Sequence, residues 1–149
     1  MFLGEKPAIL ALQQLHPDQY SRLYLVIGFY SMFSFLATFI REIIKDQEDQ
    51  EADRQSGVTT IATEFPTYQV KRIVTFVMVV FTALLILCGI LMYLNGNILG
   101  STYLILIPTP LTIYSGYLYQ GSIESKDFRK LSHLYKLIIL TGIIALIFM

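Results

Sequence analysis

The 149-residue chain carries 11 Lys and Arg against 11 Asp and Glu, giving a net charge of zero, and 54% of its residues are hydrophobic against 15% charged. That balance supplies no electrostatic case for nucleic acid or for an acidic substrate. The apolar residues come in long unbroken runs rather than amphipathic stripes, which excludes an ordinary soluble domain and indicates an all-α integral membrane protein. Cys88 is the only cysteine and lies inside one of these runs, so no internal disulfide is available. His16 and His133 stand far apart without ligand spacing and read as interfacial residues rather than zinc ligands.

In chain order, Ala8 to Leu15 is apolar but too short to cross a bilayer, and Glu5 and Pro7 occupy the flank where a secretory signal would be basic and apolar. The start therefore reads as the tail of a spanning helix. His16-Pro17-Asp18-Gln19 suggests a turn. Leu23 to Ile40 is the first credible span, Ile73 to Leu94 the second, and Ile98 to about Tyr119 the third, with Asn95-Gly96-Asn97 as a tight connection between the last two. A polar loop is expected from Gln120 to His133, followed by a short fourth span from Leu134 to Met149. Pro108-Thr109-Pro110 interrupts the third span; a membrane tolerates this only if the freed carbonyls find donors, whether at a cavity or in packing.

The Lys and Arg distribution orients these spans. Arg41, Lys45, Arg54, Lys71 and Arg72 fall in one connection and Lys126, Arg129, Lys130 and Lys136 in or beside another, whereas Asn95 to Asn97 holds none. Both basic connections are thus expected in the cytoplasm, with Pro17 and Met149 toward the other side. Tyr20, Tyr24, Tyr93 and Tyr103 would sit at one interface, and Tyr68, Tyr117, Tyr119 and Tyr135 at the other. Tyr30, Phe33, Phe35 and Phe39 lie deeper, where they suit helix packing, lipid contact or the wall of an apolar cavity.

Directly after the first span comes the most polar stretch, Arg41 to Arg54, with more than half of the carboxylates. If the helix continues through it, Glu42, Asp46, Asp49 and Asp53 fall at i, i+4, i+7 and i+11 on one narrow arc, with Glu48 and Glu51 pointing elsewhere. Stacked acids repel, so a positive partner is expected among them. Three readings are open: a solvated charged segment, an oxygen cage for calcium, and a magnesium platform that leaves room for a phosphate. The calcium cage lacks its glycine-centred twelve-residue loop. Arg41 and Lys45 flank the arc and suit the phosphate charge of the third reading.

Asp49-Gln50-Glu51-Ala52-Asp53, followed by Gly57, resembles the second aspartate-rich motif, DxxxD, of the UbiA superfamily of intramembrane prenyltransferases. The wider run from Arg41 through Asp46, Asp53-Arg54 and Gly57-Val58-Thr59-Thr60 is most similar to the branch of geranylgeranylglyceryl phosphate geranylgeranyltransferases. The chain departs from that branch at Gln47 and Gln50, often apolar there, and at Ala52, often glycine. It also lacks the family's first motif, of the Asn-Asp-x-x-Asp type, since Asp18 and Asp127 are its only aspartates outside the acidic stretch. Residues 1–149 accordingly look like the C-terminal half of a UbiA-type bundle of about nine helices, with about four transmembrane helices and the second motif at 46–53.

The resemblance implies Mg2+ as cofactor, a polyprenyl diphosphate as donor, and a hydrophobic lipid or aromatic acceptor. It assigns Asp49 and Asp53 to catalysis and metal, Asp46 as a further metal ligand, and Arg41 and Lys45 to the diphosphate. Glu42, about 16 Å along the helix from Asp53, is a weaker candidate. A partner supplying the N-terminal half, or self-association, is expected alongside the lipid bilayer. The rival expectation is a non-catalytic membrane fragment or scaffold whose acids are merely solvated.

Overall fold

A computed structural model describes the backbone of residues 17–148 and the side chains of residue 24 and of 26–148 apart from 146. The expectations for Ala8 to Leu15, His16 and Tyr20 lie outside the described residues. Among the described residues six helices follow one another: α1 (Pro17–Ser56), α2 (Ile61–Glu64), α3 (Thr67–Leu94), α4 (Ile98–Leu106), α5 (Pro108–Gly121) and α6 (Ser125–Ala145), then a 3-10 turn at Leu146–Phe148. No strand occurs among the described residues. The chain divides into two units between Met32 and Phe33. In the first, residues 17–32 are helical; all packing below belongs to the second.

Pro17 to Gln19, expected in a turn, are helical where the described part of α1 begins. The helix does not stop at the end of its apolar run. It continues through the acidic stretch and ends in a glycine cap, where Gly57 has φ 68°, Val58 N–H donates to Asp53 O at 2.9 Å and Gly57 N–H to Arg54 O at 3.4 Å. The same device ends α3: Gly96 has φ 81°, and Asn97 N–H and Gly96 N–H donate to Met92 O and Tyr93 O at 2.9 and 3.0 Å. Only glycine enters that left-handed region without strain.

Among the described residues three helical stretches are long and apolar enough to cross a membrane: Val26–Ser56, Thr67–Leu94 and Ile98–Gly121. Within the first, the apolar part ends at Ile40 and the acidic part projects beyond it. The fourth expected span is helical but starts earlier than expected, at Ser125. Its first turns carry Lys126, Asp127, Arg129 and Lys130, so its apolar part is shorter than a full span. The polar loop expected from Gln120 to His133 shrinks to Ser122–Glu124, because α6 extends into it.

The interruption in the third span falls where expected. Ile107 separates α4 from α5, and Pro108 takes the first position of the new helix. Pro108 has no N–H for Leu104 O, and the buried Thr109 hydroxyl donates to that carbonyl instead at 2.8 Å. The break is thus satisfied locally, as the packing reading of the two prolines requires.

Along the second unit's part of α1, Phe33, Ala37, Ile40, Ile44 and Gln47 are buried at alternating spacings of four and three, the stripe of a helix packed on one side. Phe33 meets Phe81 of α3 with ring centroids 5.2 Å apart and lies over Gly142 of α6. A Cβ on Gly142 would come within 1.9 Å of the Phe33 ring, whereas one on Gly116 of α5 would meet nothing within 4 Å. Gly142→Ala is expected to destabilise the bundle by about 1–3 kcal/mol through overpacking. Gly116→Ala should be neutral or stabilising; thermal unfolding in detergent micelles measures both.

Candidate functional site

With α1 helical from Pro17 to Ser56, the expected alignment of acids is realised: Glu42, Asp46, Asp49 and Asp53 share one face. At about 100° per residue that face lies roughly half a turn from the buried stripe of Phe33 to Gln47. Phe35 and Phe39 stand on the same outward side, stacked with centroids 6.0 Å apart, and Phe35 is exposed. The outward face of α1 therefore reads, toward its C-terminus, as an aromatic strip followed by a row of carboxylates. Of the four deep aromatics, Phe33 belongs to the core, and Phe35 and Phe39 to this outward strip.

Asp46, Asp49 and Asp53 are half-buried and Glu42 is exposed. Partial burial, then the charges of Asp53, Glu42 and Asp49, push the Asp46 carboxyl above its ordinary range, with Lys45 acting in the opposite direction. Lys45 is thus placed beside the row, as the sequence suggested. Arg41 is turned to its neighbour Glu42, with which its Nη1 forms an ion pair, and its buried Nε has no hydrogen-bond partner.

The acids are aligned rather than convergent. Among the described residues, no three His, Cys, Asp or Glu side chains come close enough to hold one metal ion. Asp49 and Asp53, one turn apart and without an ion-pair partner among the described residues, offer hard oxygens to a divalent cation that keeps water or phosphate in its remaining positions. The donor set fits Mg2+ held through one or two carboxylates. It does not fit a cage built from the described residues alone.

Residues of the acidic segment outside the arc do the holding. Gln47 is the last buried residue of α1, and the fully buried Tyr119 of α5 donates its hydroxyl to Gln47 Oε1 at 2.6 Å. Gln50 donates to Ala62 O of α2. Glu48 accepts from Arg129 Nε at 2.8 Å through its carboxylate and from Ser125 Oγ at 2.8 Å through its backbone carbonyl. The two glutamines that depart from the branch pattern are therefore structural. Tyr119 and Tyr135, expected at an interface, are both fully buried: Tyr119 on Gln47, and Tyr135 against Ser115 Oγ at 3.1 Å. Tyr24, Tyr68, Tyr93 and Tyr117 do remain exposed. A polar residue at a core position of α1 was the available signal for Gln47; nothing local marked Tyr119 or Arg129.

These contacts bring the two basic connections to one end of the bundle. Lys71 Nζ at the start of α3 donates to Ser122 O at 2.6 Å, and Gln120 Nε2 to Thr75 Oγ1 at 2.7 Å. Asn97, at the α3–α4 connection, donates instead to Phe148 O. A cleft of about 390 Å³ lies at the basic end between α5 and α6, lined by residues including Tyr117, Ser122, Asp127 and Lys130 and by none of the acids of α1. Asp127, which accepts from Ile123 and Glu124 N–H at 3.3 Å each, is held below the usual carboxylate range by those bonds.

A helical membrane bundle in which α1 carries a row of outward carboxylates past its apolar run is the class that fold and site define. Within that class, the chain is 30% identical over 112 residues to a digeranylgeranylglyceryl phosphate synthase of Methanosphaera stadtmanae, a match covering 75% of this chain and 39% of that protein. It is 33% identical over 85 residues to the synthase of the same name from Saccharolobus solfataricus, covering 57% and 29% respectively. The chain spans about a third of the length of these curated relatives. A stretch of 112 residues in a chain of 149 includes the acidic segment wherever it begins. The resemblance to UbiA-type prenyltransferases of the geranylgeranylglyceryl branch therefore holds beyond the acidic motif. No family model and no solved structure matches the chain.

Tyr119→Phe leaves Gln47 Oε1 buried without its donor and should cost about 1–3 kcal/mol. The double variant Tyr119→Phe with Gln47→Leu should cost less than the two single changes added together, as a denaturation cycle in micelles would show. For Asp46, the folded chain holds the proton more tightly than the unfolded chain. Its contribution to stability is complete below the ordinary carboxylate pKa and is lost as pH rises through the raised value. Asp53→Asn should lower the Asp46 midpoint in a carboxyl NMR titration.

Proposed function

We propose that this chain forms part of a membrane prenyltransferase, contributing the carboxylate row that receives the diphosphate of a polyprenyl donor. The observation that carries the reading is the outward face of α1. An isoprenoid diphosphate has an apolar tail and a polyanionic head, and α1 offers Phe35 and Phe39 and then Asp46, Asp49 and Asp53 in the same sequence. The names of the two relatives support a geranylgeranyl-type donor and a glycerol phosphate lipid acceptor, with an aromatic acceptor as the other member of the class.

In this reading Asp49 and Asp53 hold Mg2+, with Asp46 as a further ligand or as the partner of a metal-bound water. Bound magnesium supplies positive charge against the diphosphate as it leaves. Lys45 and Arg41 stand beside the row and take up phosphate charge not met by metal. The allylic C–O bond breaks with its electron pair going to the diphosphate, the acceptor's nucleophilic atom forms the new bond to the allylic carbon, and that atom loses its proton. Apolar surroundings at the level of Phe35 and Phe39 keep water from the cation-like carbon. Because the acids do not converge, the remaining ligands come from outside this stretch. The Lys and Arg of the two basic connections support a cytoplasmic position for the row.

The outward and non-convergent placement of the acids also suits the rival reading, a non-catalytic membrane protein with a solvated acidic end. Binding separates the two. The chain in lipid nanodiscs, given labelled geranylgeranyl diphosphate, should bind it in a Mg2+-dependent way, and Asp49→Asn or Asp53→Asn should weaken that binding at least tenfold. Binding indifferent to Mg2+ and to both substitutions would favour the scaffold.

A further inference from the structure

Past Gln47 the acidic segment has left the core, since none of the residues from Glu48 to Ser56 is buried. Asp49 and Asp53 therefore sit on two helical turns that apolar packing does not hold, and their neighbouring acids repel one another. What ties this end down is a set of polar contacts on the side of α1 away from the row. Ser125 Oγ donates to the Glu48 carbonyl and Arg129 Nε to the Glu48 carboxylate, each at 2.8 Å. Among the described residues the other two ion pairs, Arg41–Glu42 and Lys126–Glu124, join near neighbours in sequence, whereas Glu48 and Arg129 are 81 residues apart. The Glu48 side chain is only 14% exposed although its partner is 65% exposed. A surface ion pair of this kind adds little stability. Together with the Ser125 bond to the same residue, it joins the projecting end of α1 to the first turns of α6 at two points.

We propose that Glu48 and Arg129 are positioning residues: by tying the projecting end of α1 to the first turns of α6, they hold Asp49 and Asp53 at the angle and depth at which a metal-bound diphosphate is received. This rests on the reading of the acidic row as a diphosphate site. Arg129 meets α1 at Glu48, on the flank away from the aspartates.

The test uses the full chain in nanodiscs, with Cys88→Ala as background and spin labels introduced at the exposed positions 52 on α1 and 136 on α6. The parent chain should give one narrow interlabel distance, Arg129→Glu a broadened one, and the swap of Glu48→Arg with Arg129→Glu a narrow one again. Over the same series, Mg2+-dependent binding of geranylgeranyl diphosphate should fall about tenfold in Arg129→Glu and recover in the swap, with helix content and thermal midpoint close to those of the parent. An unchanged distance in Arg129→Glu would overturn the proposal, as would parent-like binding by a variant whose distance has broadened. Absence of Mg2+-dependent binding in the parent would remove the diphosphate reading and this inference with it; binding that survives Arg129→Glu would remove the inference alone.

Discussion

The structure depends on one constraint: α1 stays helical after it has left the apolar layer. Had the chain turned at Arg41, as a polar segment beyond a span commonly does, Asp46, Asp49 and Asp53 would have had no common face. Helical continuity puts them on one arc, and the hydrogen bond from Tyr119 to Gln47 fixes which way the arc points. With Gln47 turned inward, the geometry of the helix leaves the acids facing outward.

The partner in that bond belongs to α5, whose hydroxyls reach three other helices. Side-chain hydroxyls on α5 face three helices in turn: Thr112 lies 3.3 Å from Thr82 of α3, Ser115 3.1 Å from Tyr135 of α6, and Tyr119 2.6 Å from Gln47 of α1. Thr112 and Ser115 also bond back to the carbonyls of Thr109 and Thr112, so these buried hydroxyls are satisfied within the bundle. Apolar packing alone gives helices in lipid little reason to choose one rotation over another, and directional bonds of this kind choose one. The break at Ile107 lets α5 run in its own direction while Thr109 takes the carbonyl that Pro108 leaves free.

Much of this was legible in the residues. Run length and hydropathy gave the helical membrane class, the i, i+4, i+7, i+11 spacing gave the acidic face, and Pro108-Thr109-Pro110 gave the break. The pairing of the two basic connections at one end followed from charge alone. Contacts between residues distant in sequence were not legible. Nothing local distinguishes Tyr119 and Tyr135 from the exposed Tyr117, because their burial is decided by the helices that meet them. Glu48 likewise looked like one more acid pointing away from the row, and its role appears only when α6, starting earlier than its apolar residues suggest, brings Arg129 and Ser125 against it. The direction of the acidic face was the other omission: the spacing aligned the acids, but only the burial of Gln47 and Ile44 shows that they point away from the core.

Residue-by-residue labelling tests the central claim most directly. In a Cys88→Ala background, single cysteines placed from position 41 to 56 in the chain in nanodiscs would be reacted with a water-soluble maleimide. A continuous helix with outward acids predicts periodic labelling from 41 to 47, fast at 42, 45 and 46 and slow at 43, 44 and 47, and fast labelling without deep protection past 47. Uniformly fast labelling from 41 to 47, or protection at 42 and 46 with fast labelling at 43, 44 and 47, would contradict it.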